Sequence, residues 1–331
     1  MKVAVFGSKP YDKEFLTSAH GSNQIAWSFF DFPLTPETQT SAQGHVAVCA
    51  FVNDRLDAPC LEAFAQYGIQ LVTLRATGFN NVDLAKAHEL NIAVTRVPNY
   101  SPNSVAEHAV ALLLSLNRKI HLSYARIRSM DFSLNGLIGF DICGKIAGVI
   151  GTGNIGKVFA QIMKGFGAHV IASDVMPSSE WAKQEGIRYV STQELLSKSD
   201  IISLHVPLTK ETEYLIDEST IQSMKKGAIL INTSRGKVVK TSALIQALKS
   251  GHLSSAGLDT YEKEAGIFFE DLSGKNFKDE ELTMLLSLPN VLVTAHQGFF
   301  TQEAMREIAR VTVENLIRFK NKSPFLEGTQ L

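Results

Sequence analysis

Cysteine is scarce in this chain. Three residues in 331, Cys49, Cys60 and Cys143, are scattered without pairing pattern. An odd, dispersed set of thiols excludes a disulfide-stapled scaffold and fits a reducing compartment, so a cytoplasmic location is expected. Long hydrophobic runs are missing too. One of the longest, residues 109–114 followed by Leu116, is broken by Ser115 and ended by Asn117 and Arg118. That is far short of the roughly 20 residues a bilayer-spanning helix needs, so no membrane association is expected. Neither sign of charge is in excess: 32 basic against 33 acidic side chains leave -1, which provides no field to attract nucleic acid. The absence of low-complexity tracts and internal repeats excludes a solenoid. The opening Lys2-Val3-Ala4-Val5-Phe6-Gly7 reads as a buried strand and lacks the basic, apolar and small-residue regions of a signal peptide, so no removed leader is expected.

What remains is an ordinary globular composition, 45% hydrophobic and 20% charged, at a length for which two domains are the natural expectation. Short Val- and Ile-rich runs recur at 2–6, 46–51, 70–74, 92–97, 146–150, 169–173, 201–206, 228–232 and 291–294. Runs this short, apolar on both faces and separated by helix-like segments, predict parallel strands in βαβ units, hence an α/β fold with doubly wound sheets. Ser101, Pro102, Asn103 and Ser104 supply a cap and first turn for Val105, Ala106, Ala109, Leu112, Leu113 and Leu116 at helical spacing. One long helix over 101–130 is expected, its apolar stripe a core or subunit surface and its Arg118, Lys119, Arg126 and Arg128 a solvated face.

The strand at 145–150 runs into Gly151, Thr152, Gly153, Asn154, Ile155 and Gly156, and then into the helical Val158, Phe159, Ile162 and Met163. In such a turn the first Gly permits the bend, the second lets backbone approach a pyrophosphate, and the third lets helix pack on strand. The helix N-terminus offers unpaired N–H groups to the anion. A second strand, 169–173, ends in Asp174, eighteen residues past Gly156. There a carboxylate can bond an adenosine ribose hydroxyl and repel the extra phosphate of NADP. Val175 and Met176 offer no arginine to hold that phosphate, so NAD is the expected cofactor. No metal site is expected.

Ligands of open α/β sheets sit beyond the carboxyl ends of the strands. Three polar residues stand there: Arg235 in Asn232-Thr233-Ser234-Arg235-Gly236, Glu264 in the loop after Leu258-Asp259-Thr260-Tyr261, and His296 after Val291-Leu292-Val293-Thr294. Each alone could be an ordinary polar residue. Together they supply a cation, a carboxylate and an imidazole in a nucleotide-binding domain.

The stretches RATGFNNVD (75–83), VPNYSPNSVAEHAVALLLSLNR (97–118), GKIAGVIGTGNIGKV (144–158), SDIISLHVPLT (199–209), INTSRG (231–236), GLDTYEKEAGIFFED (257–271) and AHQGFFT (295–301) together resemble the D-isomer-specific 2-hydroxyacid dehydrogenases, in the family's order. The resemblance implies a substrate-binding domain of residues 1–99 with 298–331, an NAD-binding domain of 100–297, and an active site in the cleft between them. It implies Arg235 as the substrate-binding arginine, His296 as the acid/base and Glu264 as its partner. By the same resemblance Thr77, Gly78 and Phe79 hold the substrate carboxylate, and Tyr100 and Phe299 line the pocket. Asp259 lies near the nicotinamide, with Thr233 and Ser234 also at the cofactor, and His205, Val206 and Pro207 wall the adenine pocket. A homodimer is implied, with the 101–130 helix in its interface. Lys240, Ala295, Gly298 and Thr260 depart from the common pattern, and they bear on substrate preference more than on reaction type.

A 2-keto acid presents a carboxylate beside a carbonyl, which a planar guanidinium can grip while polarising the carbonyl oxygen. As hydride reaches the carbon, that oxygen needs a proton, and histidine is the side chain whose protonation is adjustable near neutral pH. The expected activity is reversible, NADH-dependent reduction of pyruvate to D-lactate. A bulkier substrate, phenylpyruvate or a branched 2-keto acid, is the alternative within the same chemistry. An NAD(H)-sensing regulator on the same fold is the alternative of another class.

Overall fold

The structure, a computed structural model, describes residues 1–331. The chain divides into two compact units, Met1–Ser101 with Phe300–Leu331, and Pro102–Phe299.

The first unit opens with β1 (Lys2–Val5), α1 (Pro10–Ser18), β2 (Ala26–Phe29), β3 (Ala47–Ala50), α2 (Ala58–Gln66), β4 (Leu71–Leu74), α3 (Leu84–Glu89) and β5 (Ala93–Thr95). Its five strands are all parallel in the order β2-β1-β3-β4-β5. Strand alternation builds two cores. Val3, Val5, Ala47 and Cys49 face one side, and Ala4, Phe6, Val48 and Ala50 the other. Such two-sided burial is what a parallel sheet requires. Local signals start the helices: Asp57 caps α2 by accepting the amide of Cys60 at 3.3 Å, with Pro59 in the first turn.

The second unit contains α4 (Pro102–Asn117), α5 (Ile120–Arg128), β6 (Ile146–Ile150), α6 (Asn154–Gly165), β7 (His169–Ser173), α7 (Ser179–Glu185), β8 (Arg188–Tyr189), α8 (Thr192–Lys198), β9 (Ile201–Leu204), α9 (Glu218–Ser223), β10 (Ala228–Asn232), α10 (Thr241–Lys249), β11 (Leu253–Leu258), α11 (Glu280–Ser287) and β12 (Val291–Val293). Seven parallel strands run β12-β11-β10-β9-β6-β7-β8. On β10, Ile229 and Ile231 join the core with α4 and α6, while Ala228 and Leu230 join the core with α8, α10 and α11. The chain leaves β6 toward β7 and returns to place β9 on the other side of β6, so the order reverses between β6 and β9. The chain then re-enters the first unit through α12 (Gln302–Lys320), whose Ala309, Val313 and Leu316 pack with Val3 and Val5.

The expected α/β architecture of parallel sheets is present. Three strands absent from the sequence reading, β2, β8 and β11, complete them. The single helix expected over 101–130 is instead two. Asn117, buried, accepts the Phe140 amide at 2.9 Å and donates to the Phe140 carbonyl at 2.8 Å, and Lys119 turns left-handed at φ 53° before α5 begins. A side chain committed to distant backbone and a reversed φ end the helix where apolar periodicity alone does not. No helix is long and apolar enough to cross a membrane.

Candidate active site

The glycine turn stands at the β6/β9 reversal. Gly151 has φ 89°, and a Cβ there would collide with the carbonyl of His205 at the end of β9. A Cβ on Gly156 would collide in turn with the carbonyl of Gly151. Only glycine permits this three-way approach of turn, helix and neighbouring strand. Gly153 occupies the N-cap of α6 and supplies no side-chain acceptor. The first amides of α6 are therefore left for a ligand, in a 12-residue helix whose positive end faces the turn.

Asp174, just past β7, is wired into the same turn. One carboxylate oxygen accepts both the backbone amide and, at 2.8 Å, the hydroxyl of Thr152. The other accepts the Met176 amide at 2.8 Å. Partial burial pushes this carboxyl up, but the donors from Met176 and Thr152 outweigh it and hold the group below its usual range. His205, at the end of β9, lies against Phe159 (ring centroids 5.1 Å apart) and shares a 2.9 Å hydrogen bond with Ser203. Burial pushes its imidazole down to about 3, so the ring is neutral at physiological pH. Val206 is half-buried and Pro207 exposed beside it.

Beyond β10, Asn232 shapes the next loop. Its carbonyl oxygen accepts the Ser234 amide and hydroxyl at 3.0 and 2.7 Å, and its amide donates to the Arg235 carbonyl at 2.9 Å. The Arg235 guanidinium, half-buried, donates to the Ser234 carbonyl at 2.7 Å. Glu264 and His296 meet directly: His296 Nδ1 lies 2.9 Å from Glu264 Oε1. The other Glu264 oxygen accepts the Tyr261 amide at 3.0 Å, which fixes the carboxylate. His296 has φ 52°. Its amide donates to the carbonyl of Asp259 at 2.8 Å, and the Phe269 ring sits 5.9 Å from the imidazole. With Nδ1–H given to the carboxylate, Nε2 is the atom left to exchange a proton.

In the first unit, Thr77, Gly78 and Phe79 form a half-buried loop beyond β4. The Thr77 hydroxyl donates to the Val97 carbonyl at 2.8 Å, Arg96 donates to the Thr77 carbonyl at 3.2 Å, and the same guanidinium covers the Phe79 ring at 5.0 Å. Tyr100 is half-buried in that unit, and Phe299, half-buried, ends the second.

A family model described as the D-isomer specific 2-hydroxyacid dehydrogenase NAD binding domain matches residues 110–298. The D-lactate dehydrogenase of Escherichia coli K12 is 46% identical over 316 residues, 96% of each chain. The chain belongs to the D-isomer-specific 2-hydroxyacid dehydrogenase family. The solved apo-structure of D-lactate dehydrogenase from Escherichia coli superimposes with a TM-score of 0.91 at 43% identity, over 100% of both chains. A D-lactate dehydrogenase with NAD+ from Lactobacillus jensenii gives 0.81 at 34% identity over 98% of both. The protein is thus a D-lactate dehydrogenase-like 2-hydroxyacid dehydrogenase that uses NAD.

The residues of this dehydrogenase fit that cofactor. The Gly151–Gly156 cradle and the uncapped α6 amides suit a pyrophosphate, and the Asp174 carboxylate suits a ribose diol. The buried Thr233 hydroxyl beyond β10 has no hydrogen-bond partner within the protein, the state expected of a group that a ligand satisfies. Two supports went unread in the sequence of this enzyme. Tyr189 on β8 shares a 2.7 Å hydrogen bond with the Thr152 hydroxyl and accepts the Ser178 amide at 3.2 Å, bracing the Thr152–Asp174 pair. His108 and Thr294 surround the Asp259 carboxylate. Tyr189 lies outside the stretches that carry the resemblance, and His108, although within 97–118, is a lone His at helical spacing with no chemical signal of its own.

Proposed function

We propose that this dehydrogenase reduces pyruvate to D-lactate reversibly, with His296 as the acid/base. The observation that carries the proposal is the 2.9 Å contact between His296 and Glu264, within a domain built to hold NAD. NADH, when bound, supplies the hydride to the carbonyl carbon. Glu264 stabilises the imidazolium and keeps the proton-exchanging nitrogen at Nε2. Nε2 gives its proton to the oxygen as charge develops there, which yields the hydroxyl and leaves the ring neutral; the reverse reaction takes that proton back. Arg235 grips the substrate carboxylate and polarises the carbonyl through its planar fork. Thr77, Gly78 and Phe79 take the carboxylate, and Tyr100 and Phe299 restrict the side chain. Thr233, Ser234 and Asp259 serve the cofactor's reacting half, and His205, Val206 and Pro207 its adenine half. In this assignment the Met1–Ser101/Phe300–Leu331 unit is the substrate-binding domain, and the enzyme works in the cytoplasm.

Loss of NADH absorbance with pyruvate, phenylpyruvate and branched 2-keto acids tests the proposal. The highest kcat/KM is expected for pyruvate. A higher value for phenylpyruvate would reassign the substrate, and NADH binding without turnover on any of them would favour a sensor.

We further propose a homodimer formed through residues 120–138. Tyr124, Met130, Phe132, Leu134 and Ile138 are exposed in this stretch, the last two at 82% and 89%, and exposed large apolar side chains concentrated in so short a segment favour burial against a partner. Light scattering at micromolar concentration should give twice the chain mass, and Leu134→Lys with Ile138→Lys should halve it. A monomeric parent would refute the interface.

A further inference from the structure

Around Asp259, behind the His296 turn, lies a polar cluster in which His108 and Thr294 have no part in the chemistry above. Asp259, at the end of β11, is 1% exposed. Its Oδ1 accepts the Thr294 hydroxyl at 2.6 Å and the Gln297 amide at 2.8 Å, and His108 Nε2 lies 3.2 Å away. Its Oδ2 accepts the Gly298 amide at 2.8 Å. This carboxylate therefore holds both amides that follow His296, while its own backbone carbonyl accepts the His296 amide. A non-glycine residue at φ 52° needs such support, because the left-handed region is sterically costly for it.

His108, from the middle of α4, closes the cluster. Its Nε2 stands 2.9 Å from the Thr294 hydroxyl oxygen. That hydroxyl has one hydrogen, and at 2.6 Å it is given to Asp259, which as a carboxylate can only accept. Thr294 must then accept from His108, so the His108 proton is on Nε2. Gly298 packs closely on the cluster: a Cβ there would fall 2.9 Å from Asp259 Oδ2, too close for a real contact, and 3.5 Å from His108 Cδ2, in ordinary contact. The 16-residue α4 thus reaches the His296 loop through the His108 Nε2–H.

We propose that His108 is a positioning residue of this dehydrogenase: as the Nε2–H tautomer it fixes Thr294 and Asp259, and through them the turn that presents His296. The proposal rests on His296 being the acid/base. His108 touches neither substrate nor cofactor in this role, so its loss acts on turnover and leaves ground-state binding nearly intact.

The test compares His108→Leu, His108→Gln, Thr294→Val and the His108→Leu/Thr294→Val double variant in the full chain. His108→Leu should lower kcat for 2-keto acid reduction about 10- to 100-fold, the scale of a small misplacement at a reacting centre, with pyruvate KM and NADH Kd changed less than about threefold. His108→Gln, whose amide can supply an N–H in place of Nε2–H, should recover most of the loss. Thr294→Val should resemble His108→Leu, and the double variant should be little worse than either, since the groups act as one network. An unchanged kcat in His108→Leu overturns the proposal. So does a Gln variant as slow as Leu with an equal fall in Tm, which would mark a packing role. Should the parent turn over no 2-keto acid, the acid/base assignment fails separately. The downfield His296 Nδ1–H proton resonance then reads the placement of the ring against Glu264. It should be lost or moved in His108→Leu and kept in His108→Gln, and a resonance unmoved in both overturns the positioning role.

Discussion

Replacing Asp174 with alanine should let this NAD-using enzyme accept NADP better. Three donors fix the carboxylate in place, the Thr152 amide, the Thr152 hydroxyl and the Met176 amide, and they leave accepting capacity on the oxygen that faces Met176. Charge-assisted hydrogen bonds contribute about 1.5 to 3 kcal/mol, so losing one to the ribose should lower kcat/KM for NADH about 10- to 150-fold. For NADPH the sign reverses. Two like charges about 4 Å apart repel by about 1 kcal/mol even in bulk water and by about 4 at a protein surface, and the ribose phosphate carries more than one. Removing the carboxylate should therefore raise kcat/KM for NADPH by at least about fivefold, and the NADH to NADPH preference should fall by about 50-fold or more. The assay is steady-state kinetics with each coenzyme at saturating 2-keto acid. Alanine also strands the Thr152 and Met176 donors, but that damage falls on both coenzymes and cancels in the ratio. Asp174→Asn, which keeps an acceptor without the charge, should regain NADPH with a smaller loss of NADH. A ratio altered less than about threefold in the alanine variant would refute the assignment.

Glu264→Gln replaces the carboxylate that accepts His296 Nδ1–H with a neutral amide, so kcat for 2-keto acid reduction should fall about 10-fold or more while NADH binding persists; an unchanged kcat would show that the carboxylate does not act through the ring. His296→Ala should cut turnover about 10² to 10⁴ while NADH binding persists, and near-normal turnover would remove the imidazole from the reaction. His205 titrates near 6.5 when unfolded and about 3 when folded. Its contribution is thus complete above pH 6.5 and is lost as pH falls toward 3, by at most about 2 kcal/mol at pH 5, since the residue keeps some exposure. Denaturant midpoints at pH 7 and pH 5 should therefore differ less for His205→Gln than for the parent, and equal differences would contradict a neutral buried ring. Tyr189→Phe, which unbraces Thr152, should raise NADH KM a few-fold at constant kcat, measurable in the same coenzyme titrations.

The parts of this enzyme legible in its sequence are those in which chemistry and local backbone coincide. The glycine turn is one, since its residues are dictated by close approach. The strands apolar on both faces are another, since two-sided burial leaves no polar positions. Strand β11 escaped because its Ser254, Ser255, Ala256 and Gly257 are weak strand formers. Gly257 is needed there: a Cβ would come within 2.8 Å of Ile231 and 3.1 Å of Leu112 on α4. Two-residue β8 lacks the length to show a period, and edge strand β2, Ala26–Phe29, is exposed or half-buried throughout and so lacks the two-sided apolar run of the others. The end of α4 was hidden because Asn117 spends its amide on Phe140, 23 residues away, and no local pattern records so distant a partner. The roles of His108 and Thr294 were hidden for the same reason, being 186 residues apart in the chain and 2.9 Å apart in space.

The threading of the chain also orders its assembly during synthesis. Residues 102–299 form one uninterrupted compact unit, whereas the first 101 residues are completed only by 300–331. The N-terminal sheet emerges first, yet Val3, Val5 and Leu71 lack their α12 cover until Ala309, Val313 and Leu316 have been made. The edge strand β5 likewise waits for the last residues, where Leu331 donates to Val94 and Gln330 bridges Thr95. The usual order of domains folding from the N-terminus is thereby inverted: the NAD-binding unit is complete without residues 300–331, whereas the earlier-made half is not. Released chains truncated shortly after residue 299 should hold a protease-resistant core from the middle of the chain and a cleavable beginning.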